Sequence, residues 1–123
     1  IFLRDRELGI TERVSLATDG TQSNADSLYS SVSGDGRYAL FSSVASNLVS
    51  GDTNNANDLF LRDRHTNLTM RVSLTDSDSE ANGAVDSEHD MSANGRYIVF
   101  ASVANNLVPG DTNNLKDIFA NQF

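Results

Sequence analysis

The segment Ser43-Val-Ala-Ser-Asn-Leu-Val-Ser-Gly-Asp-Thr-Asn-Asn-Ala-Asn-Asp-Leu-Phe60 returns later in the chain as Ser102-Val-Ala-Asn-Asn-Leu-Val-Pro-Gly-Asp-Thr-Asn-Asn-Leu-Lys-Asp-Ile-Phe119. The two copies differ at only five positions. A repeat this close is typical of units that stack on copies of themselves, because one unit cannot bury its own apolar face. The sequence therefore predicts a repeat architecture.

Other short motifs recur at nearly the same spacing and define the length of the unit. Phe2-Leu-Arg-Asp-Arg6 matches Phe60-Leu-Arg-Asp-Arg64 at a shift of 58 residues, and Asp35-Gly-Arg-Tyr38 matches Asn94-Gly-Arg-Tyr97 at a shift of 59. One residue is therefore gained between Leu74 and Asn94 in the second unit. We expect one two-unit domain over residues 1–123, with repeats of 58 and 59 residues that are circularly permuted.

Alternation of apolar and polar residues predicts four short strands in each unit. In the complete unit, residues 27–74, the predicted strands are a (Leu28–Ser33), b (Arg37–Ser42), c (Asp58–Asp63) and d (Thr69–Leu74). The dipeptide Asp35-Gly36 signals a hairpin turn between a and b, and His65–Leu68 is the predicted loop between c and d. Residues 1–16 are expected to supply strands c and d, and residues 86–122 strands a, b and c. No segment has a helical period, so the predicted class is all-β.

Four antiparallel strands in a unit of this kind are the signature of a β-propeller blade. The stretches Ser33-Gly-Asp-Gly-Arg-Tyr-Ala-Leu-Phe-Ser42 and Ser92-Ala-Asn-Gly-Arg-Tyr-Ile-Val-Phe-Ala101 resemble the Ser-x-Asp-Gly-Arg-x-x-x-Phe-Ser core of the WD40-like (PD40) repeat. That repeat builds TolB-type β-propellers in bacteria. The resemblance covers nearly the whole chain and implies two four-stranded antiparallel blades, but propellers carry unrelated activities.

Two blades are too few to close a propeller, which takes about four to eight. We expect the chain to form a homo-oligomeric ring, in which three copies would give six blades and four copies eight. The N-terminal strands c and d would complete strands a and b of a neighbour, although Asp117–Phe123 supplies a competing strand c. The alternatives are a smaller assembly made by strand exchange and a fragment of a larger TolB-like periplasmic or enzyme-associated propeller.

The loop before strand c carries oxygen-bearing side chains in both copies. Their spacing is similar to the start of calcium loops, since calcium takes six to eight oxygen ligands. The candidate calcium ligands are Asp52, Asn54, Asp58, Asp111, Asn113 and Asp117. A further carboxylate would be needed, and Asp63 is the candidate. The alternative is that these residues only shape the loop through Asx-turns.

Charged residues near the ends of the strands suggest ion pairs. The alternating charges of Arg4-Asp5-Arg6 and Arg62-Asp63-Arg64 are expected to pair with Glu12 or with a neighbouring blade, and Arg37 and Arg96 are candidates to bridge blades in the same way. The histidines, His65 and His89, occupy unmatched repeat positions and lack a nucleophile motif or a metal-binding spacing.

The overall composition limits the classes of function. The net charge of −8 argues against nucleic acid as a partner, and the absence of an apolar run of about 18 residues argues against membrane insertion. The chain has no cysteine, which excludes thiolate metal sites. Export is favoured over a cytoplasmic location. The preferred function is a non-enzymatic binding or scaffold module for protein, peptide or glycan, and a glycosidase-type hydrolase ranks third.

Overall fold

The computed structural model describes residues 1–122 and consists of short strands joined by turns and loops. The strands are β1 (Phe2–Asp5), β2 (Ile10–Arg13), β3 (Ser27–Val32), β4 (Tyr38–Ser43), β5 (Asp58–Asp63), β6 (Leu68–Arg71), β7 (Val85–Met91), β8 (Tyr97–Ser102) and β9 (Asp117–Gln122). No helix occurs within these 122 residues, so the predicted all-β class is confirmed. Accordingly, this part of the chain has no helix long and apolar enough to cross a membrane.

The strands form three antiparallel sheets in chain order. The first sheet pairs β1 with β2, the second has the order β3-β4-β5-β6, and the third has the order β7-β8-β9. Each sheet is a meander, because every strand pairs with its neighbour in sequence. Sheets of two, four and three strands therefore follow one another along the chain.

Several strand ends differ from the sequence prediction, since β3 is Ser27–Val32 rather than Leu28–Ser33 and β4 is Tyr38–Ser43 rather than Arg37–Ser42. Strand β5 has the predicted bounds, but the loop before β6 covers 64–67 rather than His65–Leu68, since Leu68 already pairs with Asp63. Asn67 ends this turn with a φ of 60°, a conformation that asparagine tolerates. Strand β6 ends at Arg71 rather than at Leu74, which instead forms an isolated bridge with Glu80.

The residue gained in the second unit lies in strand β7. In the second sheet, Ser27 pairs with Ser43 and Ser30 with Phe41, so two residues lie between the paired positions. In the third sheet, Val85 pairs with Ser102 and His89 with Phe100, so three residues lie between them. The extra residue therefore enlarges a β-bulge and leaves the register of the following hairpin intact.

One face of the second sheet packs against the third sheet. We call this side the forward face; it contains Leu40, Leu59 and Leu61, which are at most 1% exposed. It shares one apolar cluster with residues of the third sheet, including Ile98 and Phe100. Backbone hydrogen bonds support the contact, as in the 2.7 Å bond from Gly34 N to Ala93 O and the 2.7 Å bond from Val85 N to Asn57 O.

The opposite face of the second sheet packs against the first sheet and its following loop. This backward face contains Phe41 and Phe60, whose stacked rings lie 5.9 Å apart and contact Ile1. Polar contacts extend the packing, because Arg62 Nη1 donates to Ala17 O across 3.1 Å. Each contact between sheets thus joins the forward face of one sheet to the backward face of the next.

Candidate functional site

The loop before β5 is shaped by the side chain of Asn54. Its Oδ1 accepts a hydrogen bond from Ala56 N at 2.9 Å, and its Nδ2 donates to Asp58 Oδ2 at 2.9 Å. The second copy repeats this arrangement, since Asn113 Nδ2 donates to Asp117 Oδ2 at 2.8 Å. The two loops therefore share one conformation, which each asparagine side chain holds by bridging the backbone to a carboxylate.

In the first copy, three carboxylates converge on one guanidinium. Nη1 of Arg71 lies 3.2 Å from Asp58 Oδ2, 3.4 Å from Asp52 Oδ1 and 3.1 Å from Glu80 Oε1. Asp58 is fully buried and its Oδ1 also accepts a 2.7 Å hydrogen bond from Ser73 Oγ. The arginine supplies the positive charge that a bound cation would otherwise bring to these carboxylates.

The carboxylates of this cluster differ in their acidity. Burial raises the pKa of Asp52, and the nearby charge of Asp58 raises it further against the opposing effect of Arg71. Hydrogen bonds lower the pKa of Glu80, above all the bond from the backbone N of Thr53 at 2.6 Å. One guanidinium thus faces three acidic groups, and the cluster carries excess negative charge when all three are ionised.

In the second copy, the carboxylates lack such a partner within residues 1–122. Asp111 and Asp117 are half-buried and line an open cavity together with Ile118 and Phe119. No group of three or more His, Cys, Asp or Glu side chains in the described part of the chain is arranged to hold a metal ion. Calcium binding by either loop stays a prediction, and the second loop is the copy without a competing guanidinium.

The remaining charged residues show where the sequence prediction was incomplete. Arg64 pairs with Glu12 of the first sheet, as predicted. Arg37, however, pairs with Asp63 of its own sheet at 2.7 Å, so the expectation that it bridges blades was wrong. Asp63 lies at the opposite end of β5 from Asp58, so it does not join the loop cluster, and its expected role as a further calcium ligand was wrong. The hydrogen bond from Arg37 is also the main reason that the pKa of Asp63 lies far below its usual value.

Sequence reasoning missed the residues that complete the first cluster, which are Arg71, Ser73 and Glu80. A signal for two of them was present, since Arg13-Val-Ser-Leu16 and Arg71-Val-Ser-Leu74 recur at the repeat spacing. The third could not be inferred this way, because its counterpart in the preceding unit is Gln22.

The forward face of the third sheet is exposed although its counterpart in the second sheet is buried. Val99 occupies the repeat position of Leu40, and Ile118 occupies that of Leu59. Val99 is 44% exposed and Ile118 69%, whereas both counterparts are 0% exposed. The same surface that packs inside the chain thus meets solvent at the third sheet.

The chain was compared with known proteins at the level of family, sequence and fold. No family model, curated protein or solved structure matches it. The resemblance to the PD40 repeat therefore stays a prediction, and a functional proposal has to rest on the geometry of the loops and of the exposed sheet face.

Proposed function

We propose that this protein is a non-enzymatic binding and scaffold module made of β-propeller blades, which stacks with further copies of itself into a ring. Three copies would contribute six blades, and four copies eight. The ring would bind a protein, a peptide or a glycan through its repeated loops, which gather on one rim because the d–a and b–c connections of a meander lie at the same end of its strands.

The exposed forward face of the third sheet is the observation that carries this proposal. Its residues occupy repeat positions that are fully buried in the second sheet, where they pack against the third sheet. A surface that can cover this face is therefore already present in the chain. Exposed apolar patches of this kind mark interaction sites. A second copy offers the backward face of a blade, and repeated head-to-tail contacts of this type close into rings.

The loops support a binding role for the rim. In both units an asparagine of the d–a loop is joined to the b–c loop, as in the 2.9 Å bond from Asn24 N to Asn47 Oδ1 and the 2.9 Å bond from Asn82 N to Asn106 Oδ1. These paired loops hold polar side chains at the surface in a fixed arrangement. Rigid polar loops on a β scaffold are a common means of recognition.

Light scattering after gel filtration tests the proposed assembly. We expect a mass of three or four times the 13.3 kDa of one chain. Val99→Glu and Ile118→Glu should reduce it to one chain, because a buried carboxylate without a partner opposes the contact. Leu8→Glu is the control, since Leu8 is 72% exposed in a turn outside this face. A single-chain mass for the unaltered protein would refute the proposal.

A further inference from the structure

The two ends of the described chain carry separate halves of an ion pair that is complete in the middle. We propose that Arg13 of one copy binds between Asp111 and Asp117 of the next copy, and that β2 thereby becomes the fourth strand of the third sheet. The inference rests on the proposed ring and names the residues that would join one copy to the next.

Arg13 stands at the repeat position of Arg71. In the first sheet Phe2 pairs with Arg13, and in the second sheet Phe60 pairs with Arg71. The environments differ, however, because Arg71 contacts three carboxylates, whereas the guanidinium of Arg13 lies over the ring of Phe2 at 5.2 Å. Within residues 1–122, Arg13 forms no salt bridge.

The receiving loop has the shape of the loop that holds Arg71. Asn113 donates a hydrogen bond to Asp117 as Asn54 does to Asp58, and strands β9 and β5 begin at these two aspartates. In the second sheet, the arginine comes from β6, which pairs with the edge of β5 opposite to β4. In the third sheet of the same chain, β9 pairs with β8 along one edge, and no described residue pairs with its other edge.

The register of the new strand pair follows from the two existing pairs. If β2 of a second copy joins β9 as β6 joins β5, Arg13 lies opposite Phe119 and Ile10 lies opposite Gln122. Strand β9 would take the place that β1 holds beside β2 in the free chain. The exchange is balanced, because Ile118-Phe119 replaces Ile1-Phe2 in the same positions.

The exchange also covers the exposed face described above. Ile118 would take the position of Ile1, which packs against Phe41 and Phe60 on the backward face of the second sheet. A residue that is 69% exposed in the free chain would thus become part of an apolar cluster. Ile1 is released in exchange, so the net apolar burial comes from residues such as Val99, whose strand has no counterpart in the first sheet. This burial and the neutralisation of the two aspartates would favour the same contact.

Charge reversal tests the ion pair in the full chain. Arg13→Glu and Asp117→Arg should each weaken self-association by about tenfold or more, because each places like charges together in a partly buried site. The double variant should recover association to within about threefold of the unaltered protein. Arg6→Glu and Asp26→Arg are controls that make the same changes of net charge at exposed positions. If single variants associate as well as the controls, or if the double variant associates no better than the single ones, the ion pair is refuted.

Cysteine crosslinking tests the register and does not depend on the ion pair, since the chain has no cysteine of its own. Ile10→Cys combined with Gln122→Cys should give covalent multiples of the chain under mild oxidation. Thr11→Cys combined with Gln122→Cys should give few, because Thr11 points to the other side of the strand. Equal crosslinking of both pairs, or none, contradicts the strand pairing. An oligomer that persists without these effects would leave the proposed ring standing and overturn only this inference, whereas a single-chain mass would overturn both.

Discussion

The carboxylate of Asp58 and the guanidinium of Arg71 form an ion pair that is almost fully removed from solvent. The two side chains are 0% and 7% exposed, and their charged atoms lie 3.2 Å apart. Their strands, β5 and β6, are neighbours in the second sheet, and the loop before β5 adds Asp52 to the same group. One arginine therefore ties the most repeated loop of the chain to the edge strand of its sheet.

Replacing Asp58 should be costly. Asp58→Asn leaves Arg71 with only its less buried partners and weakens the bond from Ser73, so we expect a loss of about 3 kcal/mol in the free energy of unfolding. Urea unfolding measures this directly. Asp26→Asn is the control, because it makes the same change at an exposed position outside this cluster and should cost less than about 0.5 kcal/mol. Equal losses in the two variants would argue against a stabilising role for the pair.

The pair Arg37–Asp63 should make stability depend on pH in acid. The pKa of Asp63 is lowered in the folded chain from a value of 3.8, so the pair stabilises fully above that value and progressively less as the pH falls below it. Arg37→Gln should therefore destabilise the chain modestly at pH 7, since Arg37 is partly exposed, and this cost should shrink progressively as the pH falls below 3.8 towards the lowered pKa of Asp63. Urea titrations at several pH values would test this. A cost that is constant with pH would show that the loss comes from packing instead.

Calcium should bind at the second loop when the chain is separated from its copies, since in the proposed ring Arg13 of the neighbouring copy would occupy that loop. Arg71 opposes a second cation near Asp52 and Asp58, whereas no guanidinium contacts Asp111 or Asp117 among the described residues. Isothermal titration of the separated Val99→Glu variant with calcium chloride should show weak binding that Asp117→Asn removes and Asp52→Asn preserves. Loss of binding in the Asp52→Asn variant alone would assign the ion to the first loop.

Gly95 should not tolerate a side chain. Its φ is 71°, and an added Cβ would lie 2.4 Å from Tyr38 Cδ2. Tyr38 packs against the apolar cluster between the second and third sheets, which limits its movement. We expect Gly95→Ala to lower the free energy of unfolding by about 2–3 kcal/mol, and Gly20→Ala to lower it by about 1 kcal/mol. Gly20 has a φ of 87° but no atom near the added Cβ, so this comparison separates backbone strain from steric overlap.

The strands and their order could be predicted because their information is local. The alternation of Leu59, Phe60 and Leu61 places two leucines on one side of β5 and the phenylalanine on the other, and the structure agrees. Turn dipeptides such as Asp35-Gly36 then connect the strands as short-range rules require. An all-β meander follows from these patterns alone.

The composition of the loop cluster could not be predicted in full, because its members are far apart in sequence and Glu80 lies outside the unit that holds the others. Glu80 reaches Thr53 across 27 residues and Arg71 across nine, and no short motif joins them. The partner of Arg37 was missed for a related reason. The sequence does not show whether this arginine reaches a carboxylate of its own sheet, such as Asp63, or a carboxylate of a neighbouring sheet. Pairing of long side chains depends on distances that periodicity does not encode.

The enlarged bulge of β7 makes the two units chemically distinct. Where β3 has Leu28 and Tyr29, β7 has Asp86, Ser87 and Glu88, and Lys116 pairs with both of these acidic residues. A ring of n copies would therefore have n-fold rather than 2n-fold symmetry. A ligand that recognises one of the two bulges would saturate at one molecule per chain, whereas a ligand that recognises a feature shared by both units would saturate at two.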